Sequence, residues 1–210
     1  MYINSKFYIK ALCRAETVKN QIAFTFDDGP DPLISPQILD ILKENNVKAT
    51  FFLIGSKIPD NIEIVRRILN EGHIIGNHSF SHNNWFGFWN DKKITEDLKK
   101  THSLVEENFD KKMLLFRPPF GVTTPFTPKF VKAMNYTTIG WSLRSLDTTI
   151  KSEKRLLKRL KLKLKPGRIV LFHDNMPQTV AVLKDFINFT LEKNYQILPL
   201  DELTGVKAYE

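Results

Sequence analysis

A chain of 210 residues, 42% hydrophobic and 26% charged, has the size and make-up of one globular domain with a substantial core, which excludes a disordered or membrane-spanning protein. Its 31 Lys and Arg against 23 Asp and Glu leave a formal charge of +8, a balance that favours acidic partners. The single cysteine, Cys13, excludes an internal disulfide framework and any cysteine-rich zinc site.

Residues 1–20, MYINSKFYIKALCRAETVKN, carry no sustained apolar stretch. Neither a signal peptide nor a transmembrane anchor is read there, and a cytoplasmic location is expected for the chain as given. This stretch is read as an N-terminal extension (1–20) to one catalytic domain over 21–205. QIAFTF is the first predicted strand, and SPQILDILKENN after it places Ile38, Ile41 and Leu42 on one helical face. KATFFLIG then precedes NIEIVRRILNEG, and HIIGN precedes DKKITEDLKKTHSLVEENF. KMLLF, YTTIGW and RIVLF continue the series, each followed by a loop and a helix-like stretch, and YQILPL closes it. Strand-then-helix alternation predicts an α/β fold of about seven βα units around a parallel sheet, a distorted barrel one unit short of eight.

Much of the positive charge falls in KSEKRLLKRLKLKLKPGR, Lys151 to Arg168, which reads as one amphipathic helix with a solvated basic face. No aromatic residue interleaves with those cations, so nucleic acid is not an expected partner. Peripheral contact with an anionic membrane surface is the partner the charge points to besides the substrate. No oligomeric state is read from the sequence.

In βα barrels the chemistry collects at the C-terminal ends of the strands. The first strand ends in Asp27 and Asp28, and HIIGN runs into His78 with His82 four residues on. LLF ends in Arg117, IGW leads to Asp147, and IVLF ends in His173 and Asp174. Asp before Gly is ordinary turn chemistry, so the two acids gain meaning only if these strand ends converge. Spaced i, i+4 on one helical turn, His78 and His82 can take two positions on a metal. A carboxylate from another strand end would complete the face, leaving its neighbour free to take a proton from water that the ion brings towards a pKa of about 7. His173 is suited to protonate a leaving amine or alkoxide. Two His and one carboxylate also describe non-haem iron oxygenases, and a formyl or cyclic amide would suit the same metal site.

TFDDGP, HSFSH, RPPFG and VLFHD, in this order, resemble the signature motifs of the polysaccharide deacetylases, carbohydrate esterase family 4. The resemblance implies a hydrolase that removes N-acetyl or O-acetyl groups from a carbohydrate with one divalent ion, zinc above cobalt or nickel. Carried over, it makes Asp27 the general base and Asp28, His78 and His82 the metal ligands. Arg117 would orient the base, and the Phe120 backbone N–H would hold the oxyanion. His173 would be the general acid, and Leu171 would shape the acetyl-methyl pocket. One segment departs: the family often has Asp-x-x-Asp-Trp where this chain reads RSLDT, with Arg144 and Thr148 at the outer positions. Asp147 is then the one acid left there to orient His173, and Trp141 would line the pocket in place of the missing ring. An inactive sugar-binding relative is the alternative this departure raises. The four aromatics of NNWFGFWN, Asn83 to Asn90, fit either sugar stacking or loop packing.

Overall fold

The structure, a computed structural model, describes residue 3 and residues 7–210, so residues 1, 2 and 4–6 of the expected extension lie outside the described residues. Among the described residues eight strands and seven α-helices follow in the order β1 (Gln21–Asp27), α1 (Ile34–Glu44), β2 (Thr50–Leu53), α2 (Ile62–Asn70), β3 (Ile74–Asn77), α3 (Asp91–Phe109), β4 (Leu115–Phe116), α4 (Thr127–Ala133), β5 (Thr137–Thr138), β6 (Leu143–Arg144), α5 (Glu153–Lys163), β7 (Ile169–His173), α6 (Pro177–Glu192), β8 (Gln196–Ile197) and α7 (Leu200–Thr204). The strand path is β5-β4-β3-β2-β1-β7-β6, with every neighbouring pair parallel, and β8 pairs with the start of β1. This is the distorted seven-strand barrel that the alternation predicts. β6 is the strand the sequence hides, because two residues between polar neighbours make no apolar run.

Period-two alternation divides each strand between two cores. On β1, Ile22, Phe24 and Phe26 face the helices, where Phe26 stacks on Phe51 and Phe172 at 5.0 and 5.5 Å between ring centres. Ala23, Thr25 and Asp27 face the other way, into the barrel, and all three are buried. Inside, Ala23, Phe52, Ile74, Leu115, Ile139 and Ile169 fill the lower barrel, with Leu200 and Leu203 of α7 packed against them. Gly76 on β3 is required by that packing, since a Cβ there would sit 2.6 Å from the Phe52 ring. With the barrel filled below, polar side chains are left to the upper ends of β1, β3, β4 and β7.

Among the described residues no ladder joins β5 to β6, and the segment 11–15 lies across that gap. Leu12 bonds to Thr138 and Gly140 on one side, and Ala15 N–H donates to Gly167 O at 2.9 Å on the other. The chain end behaves alike: Leu114 N–H donates to Ala208 O, and the Tyr209 hydroxyl accepts from Ile75 N–H at 2.8 Å.

Candidate active site

β1 and β7 pair in register, with Asp27 opposite His173, so strand pairing alone sets these two side chains side by side at the barrel mouth. Arg117, directly after β4, is fully buried and reaches across the interior to Asp27. Its Nη1 donates to Asp27 Oδ1 at 2.7 Å and to Thr25 Oγ1 at 2.8 Å. Nη2 and Nε donate to the carbonyls of Gly140 and Ile139, and the guanidinium lies 4.2 Å from the centre of the Phe52 ring. A buried cation with every edge engaged can hold a carboxylate in one orientation.

Asp28 leaves the strand with φ of 76°, in the left-handed region, and its carboxylate meets the two imidazoles. Its Oδ1 lies 3.5 Å from His78 Nε2 and 3.3 Å from His82 Nε2, and the ligand atoms of all three residues fall within 4.8 Å of one another. Burial opposes the charge on Asp28, yet the hydrogen bond and charge of His78, with His82 behind it, hold the carboxyl well below the usual range. His78 Nδ1 bonds to the Arg117 carbonyl at 2.7 Å. A carbonyl can only accept, so Nδ1 carries a hydrogen, and Nε2 is the atom that the neutral ring leaves free to ligate an ion. Burial pulls the His78 pKa down, but Asp27 and Asp28 together raise it above the ordinary value. Burial and the neighbouring His78 lower His82 to about 4. An N₂O donor set with this tautomer fits a divalent ion with positions left open for water and substrate.

The route by which the two histidines meet differs from the helical turn expected from their spacing. Residues 78–82 form a loop in which Ser79 and His82 adopt left-handed φ of 67° and 45°. Asn77 Oδ1 accepts from Ser79 N–H, and Asp97 of α3 accepts from the N–H groups of Phe80 and Ser81. Those side-chain bonds replace the helical ones and turn both rings to one side. Their only sequence signal is Asn77 next to the motif; Asp97 lies mid-helix with nothing to mark it. Thr25 was legible in principle, being two residues from Asp27 on a strand and so on the same face.

Asp147, fully buried, meets His173: Oδ1 lies 2.7 Å from Nδ1, and Oδ2 accepts from His173 N–H and from Thr179 Oγ1. Burial alone would lower the His173 pKa, but the Asp147 bond and charge raise it. Leu171 lies two residues before His173 on the same face of β7, and Trp141 closes the pocket beside it. Gly121, at φ of 65°, lets the chain pass Trp141; a Cβ there would lie 2.3 Å from the indole. Phe120 also takes a left-handed φ of 58°, and among the described residues its N–H has no acceptor. Its ring rests 4.6 Å from that of His82. These side chains, with Arg144 and Thr148 on the rim, line one pocket of about 230 Å³. Every residue singled out as catalytic, metal-ligating or substrate-binding reaches this pocket, except Arg117 and Asp147, which stand behind Asp27 and His173.

The aromatic stretch divides. Phe86 is buried and Trp89 packs on the core, while Trp85 and Phe88 are 66% and 81% exposed. His73, in the lower barrel wall, accepts from Ala49 N–H and is pulled down to about 4 by burial. It belongs to the packing, not to the pocket. Among the described residues no helix is long and apolar enough to cross a membrane.

A parallel barrel whose mouth gathers a His–His–Asp donor set, a second carboxylate on an arginine and a buried Asp–His pair has the parts of a hydrolase. The family model for polysaccharide deacetylases matches residues 14–139, and the chain belongs to that family of carbohydrate deacetylases. It is 35% identical over 191 residues to a peptidoglycan-N-acetylglucosamine deacetylase of Bacillus cereus, covering 89% of each chain. It is 32% identical over 206 residues to the peptidoglycan-N-acetylglucosamine deacetylase PgdA of Listeria monocytogenes, spanning 98% of this chain but 43% of that protein. The crystal structure of the Bc1960 peptidoglycan N-acetylglucosamine deacetylase, in complex with 4-naphthalen-1-yl-N-oxidanyl-benzamide, superposes with a TM-score of 0.90 at 29% identity, over 100% of this chain and 96% of that one.

Proposed function

We propose that this chain hydrolyses the N-acetyl group of N-acetylglucosamine residues in peptidoglycan, using a divalent ion, zinc, held by Asp28, His78 and His82. The observation that carries this reading is the division of labour between adjacent carboxylates. Asp28 faces two imidazoles, whereas Asp27 is fixed on Arg117 with its second oxygen towards the pocket, 3.8 Å from His78 Nε2. The relatives' named substrate supports the glycan. The N-hydroxy amide held by the structural neighbour supports the metal, because such a group chelates divalent ions through two oxygens. A bound ion would act as Lewis acid, acidifying a water and polarising the acetyl carbonyl.

The protein's own groups supply the rest. Asp27, held by Arg117, accepts the proton of the attacking water. The carbonyl oxygen, as it gains charge, meets the Phe120 N–H, a donor fixed in place by the Pro118–Gly121 turn. Leu171 and Trp141 give the acetyl methyl group an apolar wall. His173, whose Nδ1–H is held by Asp147, carries on Nε2 the proton that the departing sugar nitrogen needs. The C–N bond then breaks to give acetate and the free amine.

The test is acetate release from N-acetylglucosamine oligomers and from peptidoglycan, with the protein as purified, after chelation, and after zinc, cobalt or nickel is restored. Loss on chelation and recovery with the ion is the expected result. Undiminished turnover by a protein shown to be metal-free would overturn the reading.

A further inference from the structure

We propose that the outer face of α5, together with the adjoining end of α6, is a docking surface for membranes that carry anionic lipid. Residues Lys151 to Arg168 hold nine of the chain's 31 basic residues and one of its 23 acids. The rest of the chain is therefore electrically balanced, and the whole excess of +8 belongs to this one segment. None of the nine cations forms an ion pair with a described residue, although Asp185 and Glu192 lie on the neighbouring helix. Crowding unneutralised cations on 18 residues costs self-repulsion that a purely structural helix would avoid.

The helix divides its faces sharply. Leu156 and Leu160 are fully buried against the core. On the outer side, Lys154, Lys158 and Leu162 follow one another at i, i+4 spacing, with Leu157 and Lys161 beside them. This stripe and Phe189 of α6 line a shallow groove of about 420 Å³. Leu162 is 69% exposed at its lower end, and Phe189 is flanked by the ammonium groups of Lys161 and Lys193 at 4.9 and 5.8 Å from its ring centre. An anionic polymer in solution would be satisfied by the lysines alone. An exposed leucine and a half-buried ring set among lysines instead match an interface in which phosphates meet the ammonium groups and the apolar side chains dip below them. α5 connects β6 to β7, and none of the residues that line the groove lines the pocket.

The experiment is co-sedimentation of the full chain with vesicles of phosphatidylcholine alone and of phosphatidylcholine with phosphatidylglycerol, at low and physiological salt. Binding only to the second vesicle, weakening with salt, is the expected result. Leu162→Asp and the double change Lys158→Glu, Lys161→Glu should each lower vesicle partitioning by about tenfold, without altering acetate release from soluble oligomers. No binding by the wild type to anionic vesicles would overturn the proposal. So would binding that both variants leave unchanged. Full competition by soluble polyphosphate, with Leu162→Asp without effect, would assign the surface to a polyanion instead.

Discussion

Arg117 and Asp27 form a fully buried ion pair with Nη1 to Oδ1 at 2.7 Å, and the same carboxylate turns its other oxygen towards His78. The pair is held for orientation: three further acceptors, Thr25, Ile139 and Gly140, fix the guanidinium from behind. Asp27→Asn should therefore keep the ion while lowering kcat by about 100-fold or more, as for a lost general base. Parallel kcat and metal-content measurements check this. A metal-free Asp27→Asn protein would mean that the roles of the two acids are reversed.

Arg117→Ala does something different. It strands a buried carboxylate, a change that costs about 3–5 kcal/mol of stability. Arg117→Lys restores the charge but cannot reach four acceptors at once, so it should recover much of the melting temperature and little of the turnover. A lysine variant with full kcat would show that charge alone is enough.

The two imidazoles of the proposed metal site differ in their affinity for a proton. His78 is raised above the ordinary value by Asp27 and Asp28 despite its burial, whereas His82 is lowered to about 4 by burial and His78. To present Nε2 to an ion, His78 must give up the proton that its raised pKa favours, whereas His82, lowered to about 4, has none to lose at neutral pH. Proton release on loading should therefore come from His78, and affinity should fall as pH drops through the His78 titration. Calorimetric titration with zinc in buffers of different ionisation enthalpy measures the count. His78→Ala or His82→Ala should abolish both retention of the ion and turnover; an active, metal-free His82→Ala protein would end the metal reading.

The order of elements and the identity of the pocket residues were legible because strand alternation is a local pattern and barrel chemistry collects at strand ends. How those residues are held was not. The two histidines meet through left-handed turns at Ser79 and His82 rather than a helix, and that turn is bonded to Asp97, which is 15 residues beyond His82 in the chain and unmarked in sequence. β6 escaped because two residues carry no period. The altered RSLDT segment looked like a loss of support for His173. In space Asp147 meets both the ring and the backbone of His173, so the change at Arg144 and Thr148 falls on the pocket rim instead.

With His173 as the proposed general acid, the Asp147–His173 pair should set the alkaline side of the pH profile. Burial lowers the His173 pKa and the Asp147 contact more than offsets it, so the acid form is fully present below the ordinary value and is lost only as pH rises through the raised one. Asp147→Asn removes the charge but keeps a hydrogen-bonding group. The alkaline limb of kcat/KM should then move to lower pH, with the acid limb in place and the metal content unchanged. Thr179→Val, which removes one donor from Asp147 Oδ2, should move it in the opposite sense, because a less satisfied carboxylate attracts the His173 proton more strongly. Profiles of both variants that overlay the wild type would show that His173 does not carry the proton that the leaving nitrogen takes.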